Sequence, residues 1–339
     1  MVDVAAGQTL LAACLRAGVH LPHACNHGLC GTCKVTVLEG EVDLGAASTF
    51  ALMDVEREEG KALACCATLR SDAVIEADID EDPDALRLAV GDHVGRVVAA
   101  EMATPDTRRI RVAVSGFAFQ AGQYVDVRIP GLERPRAFSM ATAPSARGGF
   151  DLLVKRVPGG EGTGWLHDRL AVGDALAFAG PFGRFFVRRS ADRPILLLAG
   201  GSGISAIRSM LDDLLGDAGG PPIRLIYGAR SERDLVGHAE LVARAASTAR
   251  LSYTAVLSEE ASPRWDGARG FVHEQIEATL GGSCAGHTAY VCGPPAMIEA
   301  CIRSLMKGRL FERDIYTERF VTVADGAAAL ARSPLFKRL

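Results

Sequence analysis

The sequence predicts a multidomain chain: a small α+β module first, an antiparallel β-barrel second, and an α/β domain with a parallel sheet third. Three observations carry this reading. At 339 residues the chain is too long for one compact core, so two or three domains are expected. From about residue 91 to 190 the apolar segments are short and punctuated by Gly and Pro ("GRVVAAEMA", "TRRIRVAV", "GQYVDVRIP", "FDLLVKRV", "ALAFAGPFG"), which suits a small antiparallel barrel. From 191 onward "RPILLLAG" reads as a buried strand, "ISAIRSMLDDLLG" as a helix and "PIRLIYGAR" as a second strand. The alternation continues through "LSYTAVLS", "FVHEQIEATL", "AYVCG" and "PAMIEACIRSLMKGR", and it predicts a parallel sheet. The first block ends in the acidic linker "DIDEDPDALRLAVGD". The expected domains are therefore 1–85, 91–190 and 191–320, with a C-terminal tail over 321–339.

Composition narrows the class. The chain is 48% hydrophobic and 23% charged with a net charge of −4, as for an ordinary soluble protein. Its longest apolar strings are strand-sized, which argues against a membrane span. The N-terminus lacks a basic segment followed by an apolar run, so no secretory signal is expected and the cytoplasm is the expected location. Nine cysteines in such a chain point to metal or redox chemistry, or to packing, rather than to a disulfide framework. Residues 1–85 carry 15 Asp/Glu against 5 Lys/Arg, a balance of −10, and the remainder is +6. An acidic module on a mildly basic body suits docking by charge on a protein partner, although a solvated face would look the same. No basic stripe with interleaved aromatics is present, which excludes nucleic acid as the expected partner.

The stretch "PHACNHGLCGTCKV" places Cys25, Cys30 and Cys33 in a C-x4-C-x2-C pattern, and "KALACCATL" adds Cys65 or Cys66 downstream. This is the plant-type ligand spacing of a [2Fe–2S] cluster. Two bridged irons need four thiolates in a small volume. One tight loop delivers three, and Gly28 and Gly31 let its backbone approach the sulfurs. A Rieske centre would need a later Cys-x-x-His, which is absent, and structural zinc would need a second C-x2-C pair.

On these residues the first block resembles plant-type ferredoxin domains, which have a β-grasp α+β fold, with "KALACCATLRSDAVIEAD" as the closing segment. The resemblance implies Cys65 as the fourth ligand. It leaves Cys66 pointing the other way along an extended segment into the core, and Cys14 in the core as well. His23 and His27 are expected on the loop surface. The family opens with a strand ahead of the "GQTLLAACLRAGV" helix, and the expectation here is a domain without that first strand.

The second and third blocks resemble the ferredoxin–NADP reductase superfamily over residues 91–320, with a Greek-key FAD barrel and a Rossmann-like NAD domain. "RAFS" (Arg136, Ala137, Phe138, Ser139) fits its flavin motif, in which an arginine fork meets the pyrophosphate, an aromatic covers the ring and a hydroxyl reaches its reactive edge. By the same resemblance "LLVK" supplies Leu153, Val154 and Lys155 to the ribityl and phosphate region. "GEGT" places Gly162 and Thr163 at a phosphate-facing helix start. "LLLAGGSGISA" sets Gly200, Gly201, Ser202 and Gly203 between a strand and a helix. The second strand ends in "YGARSERD", with Arg230 where a Rossmann dehydrogenase would carry an acid; this leaves NADH or NADPH open, and the family favours NADH. "YVCGPPAM" resembles the nicotinamide turn, with Cys292, Gly293 and Pro294. "YTERF" resembles the segment returning to the flavin, with Glu318 near the reactive edge and Phe320 on the ring. The order of the motifs, cluster first and nicotinamide last, implies FAD rather than FMN.

The whole chain resembles the reductase components of bacterial multicomponent phenol hydroxylases, on "EGEVDLGAASTFALMDVEREE" and the tail "FERDIYTERFVTVADG…SPLFKRL". The resemblance implies a monomeric reductase that passes electrons from NADH through FAD and a [2Fe–2S] cluster to an oxygenase component. Ser139, Cys292 and Glu318 would flank the flavin–nicotinamide contact, with no residue required as acid or base. A reductase of a Rieske dioxygenase or an alkene monooxygenase, a cluster-less diaphorase and a nucleotide-regulated redox sensor are the alternatives.

Overall fold

The computed structural model describes residues 1–23, 28–29, 31–79, 82–146, 148–259 and 262–320. The predicted tail over 321–339 and the predicted ligands Cys25 and Cys30 lie outside the described residues. No described helix is long and apolar enough to cross a membrane.

The first block opens on the helix Leu10–Arg16, whose Thr9 cap accepts a hydrogen bond from the Ala12 amide at 3.3 Å. Leu10, Leu11, Ala13 and Leu15 form its buried face. Before that helix there is no strand, only an isolated bridge from Thr9 to Thr68. The face packs on a three-stranded antiparallel sheet with Lys34–Glu39 in the centre, Lys61–Leu63 on one side and Val74–Glu76 on the other. Cys14 packs partly buried against the same core. His23 is a correction: it is buried rather than on the surface, with Nδ1 2.8 Å from the Leu21 carbonyl.

The second block is a six-stranded antiparallel sheet in the order Gly149–Lys155, Thr107–Ala113, Gly91–Thr104, Ala175–Phe182, Tyr124–Val127 and Arg136–Ser139. A bridge from Met140 to Leu152 and the Ala141 amide donating to the Asp151 carbonyl at 2.8 Å join its two edges, closing a barrel with no free edge at that point. The interior is apolar and aromatic, with Phe150 and Phe178 edge-to-face at 5.2 Å.

The third block is an all-parallel sheet in the order Ala268–Arg269, Leu251–Leu257, Ile223–Ala229, Ile195–Gly200, Thr288–Gly293 and Ile315–Arg319. The helices Ile204–Gly216, His238–Ser247, Val272–Leu280 and Pro295–Lys307 accompany it. The strand order reverses direction at Ile195–Gly200, which makes the carboxyl ends of this strand and Thr288–Gly293 the crevice where such sheets bind ligands.

Side chains distant in sequence join the blocks. Ser209 of the third block donates to the Thr142 carbonyl at 2.6 Å, next to the barrel. Phe182 of the barrel packs into the core of the first block and stacks on Tyr124. Asp92 receives Arg16 at 2.7 Å and Arg128 at 2.6 Å. The linker is anchored by Asp82, whose carboxylate accepts from Arg188 Nε at 2.9 Å, and by the Asp84 carbonyl, which accepts from Gln120 at 2.7 Å. Arg188 lies between the rings of Phe186 and Tyr316, 3.9 and 4.1 Å from their centroids, and its amide donates to the Tyr290 hydroxyl. One arginine therefore ties the linker to both reductase blocks. Breaking a buried pair costs several kcal/mol, but Arg188 Nη1 keeps the carbonyls of Arg184 and Phe186. Asp82→Ala should therefore destabilise linker docking by about 2 kcal/mol. At tenfold per 1.4 kcal/mol, limited proteolysis of the linker should run about thirty times faster in the variant.

Candidate functional site

The strand Arg136–Ser139 pairs antiparallel with Tyr124–Val127, with Ser139 opposite Tyr124 and Phe138 opposite Val125. Ala137 and Ser139 share one face of the strand, the former exposed at its start and the latter buried at its end, and Phe138 on the opposite face packs partly buried against the barrel core. Arg136 Nη1 donates to the carbonyls of Arg134 and Pro135 at 2.8 and 3.2 Å, which folds the side chain back along its own segment. The stem lies across the start of the helix Glu161–Asp168, where a Cβ on Gly162 would come 3.1 Å from Arg136 Cγ. A guanidinium and a helix N-terminus are thus side by side, a pairing suited to a pyrophosphate.

The neighbouring predicted residues are less free. Thr163 Oγ1 accepts from the Val157 amide and donates to the Gly160 carbonyl, so its hydroxyl shapes the turn. Lys155 pairs with Asp106 at 2.9 Å. Val154 is wholly inside the barrel, and its carbonyl meets His167 Nε2 at 2.8 Å.

At the carboxyl ends of the central parallel strands two motifs press together. The turn Gly201–Gly203 follows the strand Ile195–Gly200 and leads into the helix Ile204–Gly216. A Cβ on Gly203 would sit 2.2 Å from the Cys292 carbonyl oxygen and 2.8 Å from the Gly293 nitrogen, so only glycine permits this approach. Cys292 is fully buried opposite Ala199 on one side and Glu318 on the other. The Phe320 amide donates to the Gly293 carbonyl at 3.1 Å. Leu153 of the barrel, Cys292 of the parallel sheet and Phe320 of the last segment share one hydrophobic cluster. Arg230 is exposed, its guanidinium 3.6 Å from the Glu259 carboxylate.

Burial pushes the Glu318 carboxyl up from 4.5 to about 7 and drives the Cys292 thiol well above its ordinary value, with the Glu318 charge adding to the latter. Part of the Glu318 side chain stays accessible to solvent. A raised carboxyl pKa means that between about pH 4.5 and 7 the folded chain holds a proton that the unfolded chain gives up. The Glu318 contribution to stability is therefore full below pH 4.5 and is lost as pH rises towards about 7. Urea midpoints of the wild type and Glu318→Gln at pH 5 and pH 8 should show it: the wild type loses more stability over that interval than the glutamine variant.

In the first block Cys33 is buried, and its carbonyl accepts from the Ala64 amide at 2.9 Å, which brings its strand beside the Cys65 segment. Cys65 is partly buried against the core. Cys66 corrects the sequence-based expectation. Residues 64–66 form a turn in which the Cys66 and Ala67 amides both donate to the Leu63 carbonyl at 2.9 Å, so side chains do not alternate as in a strand. Cys66 Sγ lies 3.7 Å from Cys65 Sγ, and a Cβ on Gly28 would come 2.6 Å from it. Among the described residues no three His, Cys, Asp or Glu side chains, Cys33, Cys65 and Cys66 included, are grouped to hold a metal, and Cys25 and Cys30 lie outside the described residues. The described part of the donor set is all sulfur, beside a loop whose Gly28 backbone (φ +72°) approaches a thiol. That fits a thiolate-held iron–sulfur group.

Comparison with known proteins agrees with this geometry. Residues 1–70 match the 2Fe-2S iron-sulfur cluster binding domain, 94–187 the oxidoreductase FAD-binding domain and 197–303 the oxidoreductase NAD-binding domain. These three matches define an iron–sulfur flavoprotein oxidoreductase. The chain is 48% identical over 341 residues to the phenol 2-monooxygenase reductase component of Pseudomonas sp. (strain CF600), covering 100% of this chain and 97% of that one. It is 46% identical to the phenol hydroxylase P5 protein of Acinetobacter pittii (strain PHEA-2), covering 100% and 96%. A solved structure, the ferredoxin reductase in carbazole 1,9a-dioxygenase, superposes with a TM-score of 0.78 at 28% identity, covering 92% and 93%. The chain belongs to the family of reductase components of multicomponent phenol hydroxylases.

Proposed function

We propose that this chain takes electrons from NADH and delivers them to the separate oxygenase component of a diiron phenol hydroxylase. The observation that carries the reading is that the barrel strand Gly149–Lys155 meets the turn Gly201–Gly203, which itself packs on the strand Thr288–Gly293 beside Ile315–Arg319, so that barrel, nicotinamide turn and returning strand adjoin. When bound, a flavin exchanges electrons in pairs with a nicotinamide and singly with an iron–sulfur centre, a conversion that neither partner makes alone.

The residues of the chain position and insulate these groups. Arg136 and the helix start at Gly162 and Thr163 face the pyrophosphate of FAD, and Leu153, Val154 and Lys155 line the adjoining segment. Phe138 and Phe320 cover the ring with apolar surface, Ala137 contributes main chain, and Ser139 offers a hydroxyl from a buried position. The turn Gly200–Gly203, with Ser202, and the helix behind it receive the dinucleotide phosphates, and Arg230 reaches the ribose from an exposed position. Cys292, Gly293 and Pro294 floor the nicotinamide pocket, with Glu318 beside them. Cys25, Cys30, Cys33 and Cys65 hold the cluster in a domain spanning 1–85, followed by FAD and NAD domains at 91–190 and 191–320. The acidic balance of the first domain supports docking by charge on the oxygenase, and the whole works as a cytoplasmic monomer.

Reconstitution tests the client. NADH consumption coupled to phenol hydroxylation is expected with a phenol hydroxylase oxygenase component. Equal or better coupling to a Rieske dioxygenase or a propane monooxygenase would contradict the assignment.

A further inference from the structure

The first block presents one more thiol to the iron–sulfur site than four coordination positions require. The turn that carries Cys65 and Cys66 is fixed from both ends. The Leu10 and Leu11 amides at the start of the first helix donate to the Ala67 and Ala64 carbonyls at 2.9 and 2.8 Å, and the Ala64 amide donates to the Cys33 carbonyl. The two adjacent cysteines are thereby held with their sulfurs on one side of the chain, 3.7 Å apart. That separation is about the edge of a tetrahedron built from metal–sulfur bonds of ~2.3 Å, so both sulfurs lie within reach of one metal position. Cys65 leans on the protein core, whereas Cys66 Sγ sits against Gly28, in the loop between Cys25 and Cys30.

We propose that Cys66 is an interchangeable fifth thiol of the site, able to take the coordination position of Cys65. The exchange is a ligand substitution without electron transfer. The Cys66 thiol gives its proton to solvent and forms one iron–sulfur bond, while the Cys65 thiolate leaves its iron and takes up a proton. A change of Cys66 rotamer carries its sulfur about 3 Å, most of the 3.7 Å that separates the two sulfurs, and a small shift of the turn completes the exchange. This inference rests on reading the first block as an iron–sulfur domain.

Four full-length proteins test it: wild type, Cys65→Ala, Cys66→Ala and the double variant, each assayed for iron and sulfide per chain, visible circular dichroism and EPR after chemical reduction. Flavin content in the same samples reports that the rest of the chain has folded. Cys66→Ala should match the wild type in iron and spectra. Cys65→Ala should keep about half or more of the iron, with shifted dichroism and g-values from the new ligand, and the double variant should keep no more than about a tenth. Cys65→Ala as empty as the double variant would overturn the proposal, and so would loss of iron from Cys66→Ala alone. Iron-free wild-type protein with full flavin would instead overturn the iron–sulfur reading of the block.

Discussion

Cys33→Ala is expected to retain flavin and to reduce a small artificial acceptor with NADH at the wild-type rate, while delivery to an oxygenase component falls at least about 100-fold. Disturbing a residue that only orients a metal ligand already costs up to about 100-fold, so removing a ligand should cost no less. Cys33 is buried in the first block, at the start of the strand Lys34–Glu39 and far in sequence from the flavin and nicotinamide motifs. The two activities should therefore separate cleanly. Steady-state assays with the two acceptors, alongside iron content, measure the effect. A parallel loss of both activities would mean that the cysteine supports the whole fold.

Gly203→Ala should have the opposite signature. The added methyl would meet the Cys292 carbonyl oxygen at 2.2 Å, its carbon at 2.5 Å and the Gly293 nitrogen at 2.8 Å. All three are main-chain atoms of a fully buried central strand or the turn beyond it, so no side chain can swing aside. Either the turn or the strand end must shift by the better part of an ångström. Misplacement on that scale slows a reaction that depends on alignment by on the order of 100-fold. The overpacking itself costs roughly 1–3 kcal/mol. Flavin bleaching by NADH should slow accordingly in stopped flow, while a chemical reductant still reduces flavin and cluster. Gly216→Ala, at the far end of the helix that Gly203 introduces, meets nothing within 4 Å and should behave as wild type.

Much of this arrangement is readable in the chain because the informative patterns are local. "RPILLLAG" is apolar from end to end between a proline and a glycine, as a strand covered on both faces must be, and it forms the strand Ile195–Gly200, buried throughout. The helix Ile204–Gly216 begins and ends where its apolar repeat and closing glycine place it. The helix His238–Ser247 is harder to read because its core-facing stripe is narrow, Leu241 being its one buried residue with Ala245 packed partly buried beside it.

Long-range polar contacts are illegible for a different reason. Arg188 meets Asp82 and Tyr290 across more than a hundred residues, and Lys155 meets Asp106; nothing in either neighbourhood marks the partner. The pair at Cys65 and Cys66 shows the limit most plainly. Strand alternation assigns the two sulfurs to opposite sides, and two hydrogen bonds to the Leu63 carbonyl place them together. Identical residues in an extended segment or in a turn give different sites, and the choice is made by the surrounding fold.

The central claim is that one chain relays electrons from NADH through flavin to an iron–sulfur cluster. An anaerobic NADH titration of the full-length protein, followed by visible absorption and EPR, tests it most directly. The account predicts flavin bleaching together with the EPR signal of a reduced [2Fe–2S] centre. Flavin bleaching with no iron signal at any NADH excess would contradict it and leave the chain a diaphorase.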